Sequence, residues 1–398
     1  MMPDATPLEK KAFRIDTFRQ AVDGTFEPYI ESVFLIVAIR YFAVGDAWLG
    51  LIAASKFIGF LLTAPLIGAL NRSNLRRATI LAALTVVAAA ALGVGSLATT
   101  GTLFALAVTL ATAAVSLRQP FFTDLYGDLY PPERRARRIS PGLRIMMLGS
   151  VASGLVYGQL MDRRLDNWRR VLLVGLVAMA AAALALRELP QTPRRPRDEG
   201  WWQALAIPFR NPVFLYMQAA WMIIGFGNLW TLPLRAVYLT DVERGLGLSP
   251  AVVTGILVII PTVVRFACNP LWARLYHRLS IPVLRIAINA FFMTSIPLFF
   301  LTGRLWVIIA AVVLFGIGTS GSPFIWQLWV TRIASPERTR IYQSAHAFLA
   351  GARGVLAPFV GFAVLQGLSF RSMGLISGGL VLTSALMMVP LMRRGHSF

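Results

Sequence analysis

The sequence predicts an all-α polytopic membrane protein with twelve transmembrane helices in two pseudo-symmetric six-helix bundles. Three observations carry that reading. Apolar residues make up 57% of the 398 residues and charged residues only 14%, against roughly 45–50% and about 25% in soluble domains. The apolar residues fall into twelve runs, near 24–44, 48–70, 78–97, 102–122, 141–161, 169–186, 213–236, 249–271, 283–302, 305–328, 344–366 and 371–392. Each is close to the ~20 residues that a helix needs to cross the ~30 Å hydrocarbon core. The net charge of +20 is one-sided, which is how basic residues mark topology.

The runs are taken in chain order as spans 1 to 12. They show no sustained two-residue alternation, which disfavours an outer-membrane barrel with its short alternating strands. The first 23 residues mix Lys10, Lys11, Arg14 and Arg19 with Asp4, Glu9, Asp16 and Asp23. A long charged stretch before a full-length apolar run does not read as a cleavable signal peptide. The termini and the connections after spans 2, 4, 6, 8 and 10, with their flanking ends, hold 26 of the 38 Lys and Arg. The alternate connections hold 8, and span interiors hold Arg40, Lys56, Arg265 and Arg353. The positive-inside rule then places both termini in the cytoplasm, and the expected location is a bacterial-type inner (cytoplasmic) membrane. Trp48, Trp168, Trp201, Trp202 and Trp306 fall near expected interfaces, as in an aromatic belt.

An internal repeat divides the chain. Pro132-Glu133-Arg134-Arg135 follows span 4, and Pro336-Glu337-Arg338-Thr339 follows span 10, at an offset of 204 residues. Asn71-Arg72 after span 2 and His277-Arg278 after span 8 lie 206 apart, and Ser140 and Ser344 lie 204 apart. The expected organisation is a cytoplasmic segment 1–23, a six-helix bundle 24–186, a linker 187–212, a second bundle 213–392 and a tail 393–398. The linker is rich in proline (Pro190, Pro193, Pro196, Pro208, Pro212) and in arginine. Six-plus-six repeats are a transporter architecture, with the solute site near the bilayer midplane.

The segment Gly68-Ala69-Leu70-Asn71-Arg72-Ser73-Asn74-Leu75-Arg76-Arg77 is similar to the loop pattern Gly-x-x-x-Asp-Arg-x-Gly-Arg-Arg of the major facilitator superfamily. Asn71 replaces the acid and Leu75 the second glycine. Asn167-Trp168-Arg169 before span 6 and Gly149, Gly154 and Gly158 on span 5 also resemble family features. On these motifs, with the six-plus-six repeat, the chain is identified as a member of that superfamily over nearly its whole length. The resemblance implies that spans 1, 4, 7 and 10 line a central cavity and that spans 3, 6, 9 and 12 face lipid. It also implies that Asn71, Arg72, Arg76 and Arg77, with His277 and Arg278, form gating loops.

Charges within spans are costly, about 2.5–3.5 kcal/mol at the bilayer centre on insertion scales, so they mark where function is sought. Lys56 lies about 12 Å into span 2 and Arg353 about 14 Å into span 11 at ~1.5 Å per residue. Lys56, Arg265 and Arg353 are candidates for bordering an anion-favouring cavity; the competing reading is interhelical pairing. Arg40 reads as an interfacial snorkel. Glu27 and Glu31 sit one turn apart on span 1. Mutual repulsion and burial would raise one carboxyl pKa, making the pair a candidate proton-coupling site; alternatively they salt-bridge a cytoplasmic gate. Gln218, Trp221, Asn228 and Trp230 on span 7, and Ser320, Ser322, Trp326, Gln327 and Trp329 around span 10, offer amides and indoles for an organic solute with an apolar part. Arg118 reads as a cytoplasmic snorkel at the interface, with the cavity mouth as the alternative, and His346 as interfacial rather than a proton relay.

Several chemistries are excluded. No lysine stands in a phosphate-binding P-loop, and no zinc-hydrolase or serine-nucleophile motif occurs. One cysteine, Cys268, and three histidines rule out a multi-cysteine or histidine-rich metal site. The expectation is a secondary transporter, not an enzyme, without cofactor, metal or nucleic-acid partner. It is expected to act as a monomer in the lipid bilayer on a small organic solute, with a lean towards an anionic or amphipathic one and protons as a candidate coupling ion. The alternatives are a proton-antiporting multidrug exporter and a sensor or scaffold on a transporter fold that moves nothing.

Overall fold

The computed structural model describes residues 6–71, 75–130, 132–190, 206–330, 333–335 and 338–392. All regular structure among them is helical. The chain divides into two compact units, Met1–Asp198 with Ser249–Val258, and Glu199–Leu248 with Ile259–Phe398.

In the first unit the helices are α1 (Pro7–Pro28), α2 (Phe34–Arg40), α3 (Asp46–Asn71), α4 (Arg77–Ser96), α5 (Gly101–Leu117), α6 (Gln119–Leu129), α7 (Pro132–Arg163) and α8 (Trp168–Arg187). The first helix starts well before the apolar run because its sequence builds a capping box. Thr6 Oγ1 accepts from Glu9 N–H and Glu9 Oε2 accepts from Thr6 N–H, both at 3.2 Å, with Pro7 opening the helix. The charged N-terminal segment is therefore part of the helix that carries span 1. Pro28 has no N–H for the carbonyl four residues back. The chain then widens into a π turn over Tyr29–Val33, closed by the Phe34 N–H on the Tyr29 carbonyl. Such turns recur at functional positions.

Close packing in this unit uses the span 5 glycines. A Cβ on Gly24 of α1 would fall 2.2 Å from the Met146 carbonyl of α7, and one on Gly149 would fall 3.0 Å from the Ala21 carbonyl. A Cβ on Gly158 would meet the Ala251 backbone at 2.9 Å. Asp162 Oδ2 accepts from Ser249 Oγ at 3.0 Å, and its Oδ1 from Ala251 N–H at 3.1 Å, so an α7 carboxylate caps α11 (Pro250–Thr254). Replacing Gly24 by Ala pushes a methyl into backbone that has no rotamer to escape through. The expected cost is about 1–3 kcal/mol, read as a lower thermal unfolding midpoint in detergent.

The second unit holds α9 (Pro212–Leu229), α10 (Leu232–Thr240), α12 (Ile260–Arg278), α13 (Ile281–Leu301), α14 (Leu305–Leu328), α15 (Thr339–Leu365) and α16 (Phe370–Met392). Its internal pairings repeat those of the first unit. There α1 packs on α7 and α8, α3 and α4 on α5, and α4 on α8. Here α9 packs on α15 and α16, α12 and α13 on α14, and α13 on α16. Polar side chains pin these contacts: Trp230 Nε1 donates to Ser377 Oγ, and Ser384 Oγ donates to the Ala220 carbonyl at 2.9 Å.

Eleven helices among the described residues are long and apolar enough to cross a membrane. Span 1 is not among them because Glu27, Glu31 and Arg40 dilute its apolar character, although its helical run continues through the π turn to Arg40. Large apolar side chains stand exposed along α4 (Val86, Val87, Val94), α8 (Leu173, Val174, Val177, Leu184) and α16 (Leu375, Ile376, Leu382, Leu386). Apolar faces of this extent require a hydrocarbon surround. The protein is a multi-pass integral membrane protein.

Candidate functional site

The second unit gathers a buried cluster of indoles, one imidazole and two guanidinium groups. Helix α9 supplies Gln218 and Trp221, α13 supplies Arg285, α14 and the residue just after it supply Trp326 and Trp329, and α15 supplies His346 and Arg353. The His346 ring centre lies 5.1 Å from Trp221, 4.1 Å from Trp326 and 5.2 Å from Trp329. Its Nδ1 sits 2.8 Å from Gln218 Oε1. An amide oxygen only accepts, so Nδ1 donates and Nε2 keeps a lone pair. The Arg285 guanidinium lies 3.8 Å over the Trp221 ring, a cation–π arrangement. Arg353 Nη1 donates to the Trp221 carbonyl. Gly225 makes this possible: a Cβ there would lie 1.9 Å from the Arg353 guanidinium carbon.

The charges in this cluster are not balanced from within. Arg285 is 5% exposed and Arg353 6%. No carboxylate among the described residues forms an ion pair with either. The sequence gives the reason: beyond Glu199 the only acids are Asp241, Glu243 and Glu337, all in connections between spans. The two guanidinium groups repel each other, and both bear on His346. Four polar atoms of the cluster have no hydrogen-bond partner among the described residues: Gln218 Nε2, Trp329 Nε1, Arg353 Nε and His346 Nε2. Three are donors. Buried donors without partners are uncommon and costly. The arrangement can accept an anion and can stack a planar group.

The first unit holds a second buried polar cluster, and this one is balanced. Arg19 donates through Nη2 to Asp16 Oδ1 at 2.7 Å and through Nη1 to Asp23 Oδ2 at 2.5 Å. Arg118 Nη2 donates to Asp23 Oδ1 at 2.6 Å, and its Nη1 to Thr85 Oγ1 at 3.2 Å. The Tyr126 hydroxyl donates to Asp16 at 2.9 Å, and Gln20 Nε2 donates to the same carboxylate at 2.7 Å. The Arg19 guanidinium also lies 4.0 Å over the Phe122 ring. Burial alone would raise the Asp23 pKa; Arg118 and Arg19 outweigh it and hold the carboxyl below its usual range.

The residues singled out in the sequence are dispersed. Arg353 is buried and Trp326 half-buried, and both join the indole cluster through Trp221. Asn228 is half-buried on α9, and its Oδ1 has no partner among the described residues. Arg265 is half-buried on α12, a helix that supplies none of the cluster side chains. Lys56 is exposed on α3, and Glu27 and Glu31 are half-buried, Glu27 just before the π turn and Glu31 inside it. Arg76 and Arg278 are exposed and Arg77 is half-buried. Arg72 lies outside the described residues, and so do the side chains of Asn71, His277 and Gln327.

Two expectations are corrected. Arg118 is 1% exposed and His346 0%, where interfacial positions were expected. Arg118 is drawn in by Asp23, and His346 by Gln218 and three indoles. Sequence reasoning missed Arg285 as well, because it stands two residues into span 9 and counts as a flanking topology charge. The signal that could have found it is the absence of acids from the spans of the second half, in which any buried arginine stands without a carboxylate from its own spans.

The comparisons agree with the helical pairing. The family model described as Major Facilitator Superfamily matches residues 29–358. No curated protein matches in sequence. Among solved structures, the nucleoside transporter NupG is similar, with a TM-score of 0.72 at 13% identity over 98% of this chain and 100% of that one. A D-xylose–proton symporter gives a TM-score of 0.71 at 15% identity over 96% of this chain and 97% of that one. The human organic anion transporter MFSD10 gives a TM-score of 0.68 at 14% identity over 96% of this chain and 100% of that one. At such identities the likeness concerns the fold alone. With two units built on one pairing scheme, and a family match over most of its length, the chain belongs to the major facilitator superfamily of membrane transporters and is not an enzyme.

Proposed function

We propose that the protein is a secondary active transporter that moves a small organic anion across the inner (plasma) membrane by alternating access. It works as a monomer with both termini in the cytoplasm, and its bundles are 24–186 and 213–392, joined by the linker 187–212. The observation that carries this reading is the pair of buried arginines, Arg285 and Arg353, around Trp221 in a unit whose spans hold no carboxylate. A scaffold that moved nothing would have no reason to keep two such costly charges. The similar folds belong to carriers of nucleosides, xylose and organic anions, so the fold does not choose the solute. The arginines do. A cationic drug, as a multidrug exporter would carry, is repelled by them.

The test is a thermal-shift screen of the purified protein across anions, sugars, peptides and cationic dyes, because ligands of the folded state raise its apparent stability. Shifts with anions are expected; shifts with cations alone, anions being silent, sink the proposal. Proton coupling through Glu27 and Glu31 belongs to the same reading, supported by their position at a π turn. In proteoliposomes, Glu27→Gln and Glu31→Gln are expected to make uptake independent of an imposed pH gradient. Unchanged pH dependence in both variants removes the carboxyl pair from coupling.

A further inference from the structure

We infer that the solute held by the Arg285–Arg353 cluster is a planar aromatic carboxylate, a step that rests on the anion-transport reading and narrows it. Four features of the cluster point the same way. First, the donors: two guanidinium groups, with Arg353 Nε, Gln218 Nε2 and Trp329 Nε1 unpartnered among the described residues, present N–H groups that no acceptor of the cluster takes. A carboxylate supplies two acceptor oxygens and fits the guanidinium fork. Second, the charge: with no acid in the spans of this half, the counter-charge has to come from outside them, and a bound carboxylate removes one of the two surplus charges. Third, the walls: Trp221, Trp326, Trp329 and His346 meet one another at ring separations of 4.1 to 6.2 Å. Tilted and edge-on ring contacts of this kind favour a further aromatic ring over an aliphatic body. Fourth, accessibility: Trp221, Trp329 and His346 are buried, while Trp326 is half-buried. Trp326 is thus the indole of the cluster that still has surface to offer to a ring.

The residues divide the work. Arg353 is fixed by the Trp221 carbonyl and given room by Gly225, so its remaining N–H groups are preorganised. Arg285 is stacked on Trp221, which orders it without neutralising it. The carboxylate is held between the two guanidinium groups, and the ring packs against Trp326. His346 Nε2, with its lone pair, takes a hydroxyl or N–H substituent where the solute has one, which gives preference within the class.

The test uses the purified full chain in detergent, followed by tryptophan fluorescence and thermal unfolding. The probes are benzoate, 1-naphthoate, cyclohexanecarboxylate, acetate, benzamide and benzylamine. Benzoate and 1-naphthoate are expected to bind saturably, about tenfold tighter than cyclohexanecarboxylate, with benzamide and benzylamine silent. Trp326→Ala is expected to abolish the preference for the aromatic acid while the carboxylate still binds. Arg285→Gln and Arg353→Gln are expected to lower affinity for every carboxylate by at least about thirtyfold. Equal binding of benzoate and cyclohexanecarboxylate overturns the aromatic assignment and leaves anion transport standing. Benzylamine binding with both acids silent overturns the two together. Absence of saturable binding by any probe overturns the aromatic assignment, whereas a thermal shift with other anions would keep the transport reading. The wild-type panel decides these outcomes even where a variant fails to fold.

Discussion

Replacing Arg353 or Arg285 by Gln is expected to make the ligand-free protein more stable while abolishing anion uptake. Both parts follow from one imbalance. Each guanidinium is buried in a half of the chain whose spans contain no acid, and each raises the energy of the other. Breaking a buried ion pair destabilises because a charge is left alone; here the charge already stands alone with respect to its own unit. Removing it relieves up to about 2–3 kcal/mol of desolvation and repulsion. Glutamine keeps a donor for the Trp221 carbonyl in the Arg353 variant. Uptake is expected to fall by more than about a hundredfold, since a charge partner of the solute is lost. A purely structural role for these arginines predicts the opposite sign, with stability and uptake falling together. The midpoint of thermal unfolding and the initial uptake rate, measured on one preparation, separate the two. The double variant is expected to gain less stability than the sum of the singles, because the mutual repulsion is removed only once.

The balanced cluster of the first unit predicts the reverse. Asp23→Asn leaves Arg19 and Arg118 without their shared carboxylate, and Asp16 alone remains for Arg19. The expected loss is about 3–5 kcal/mol, the usual consequence of stranding a buried charge. The pH dependence has a definite sign. The folded-state pKa of Asp23 is depressed, so its contribution is present in full above the unfolded value of about 3.9 and is lost as pH falls through the lower folded value. The unfolding midpoint of the wild type is therefore expected to hold down to about pH 4 and to drop below it. The Asp23→Asn protein should start lower and lose this acid-side step. A variant with the wild-type midpoint and the wild-type acid profile would remove Asp23 from the core of this unit.

Much of the fold was legible because membrane helices leave a strong mark. Apolar runs of span length and one-sided arginines do not depend on which residue touches which, so helix number and class can be read directly. The site was less legible, for reasons that differ by residue. Arg353 stands deep in a span and declares itself. Arg285 and Arg118 stand near span ends, where basic residues usually report topology, and only tertiary packing distinguishes the buried ones. Asp16, Arg19 and Asp23 sit before the apolar run and look like solvated charges. Their i, i+3 and i, i+4 spacing, together with Arg118 from the turn between α5 and α6 about a hundred positions away, makes them a neutral buried group instead. Lys56 shows the converse, since its depth in the sequence did not become burial within its unit.

The lack of acids in the spans of the second half also has an electrical consequence. On the proposed transport reading, the two uncompensated positive charges of the site act within the field of the membrane, where moving one elementary charge through 100 mV is worth about 2.3 kcal/mol. An interior-negative potential therefore acts on the empty carrier through two charges, and through one once a monoanion is bound. The voltage dependence of the empty and loaded steps should differ. Uptake under potassium-diffusion potentials of opposite sign would show it, and Arg285→Gln should flatten the voltage dependence of the empty carrier.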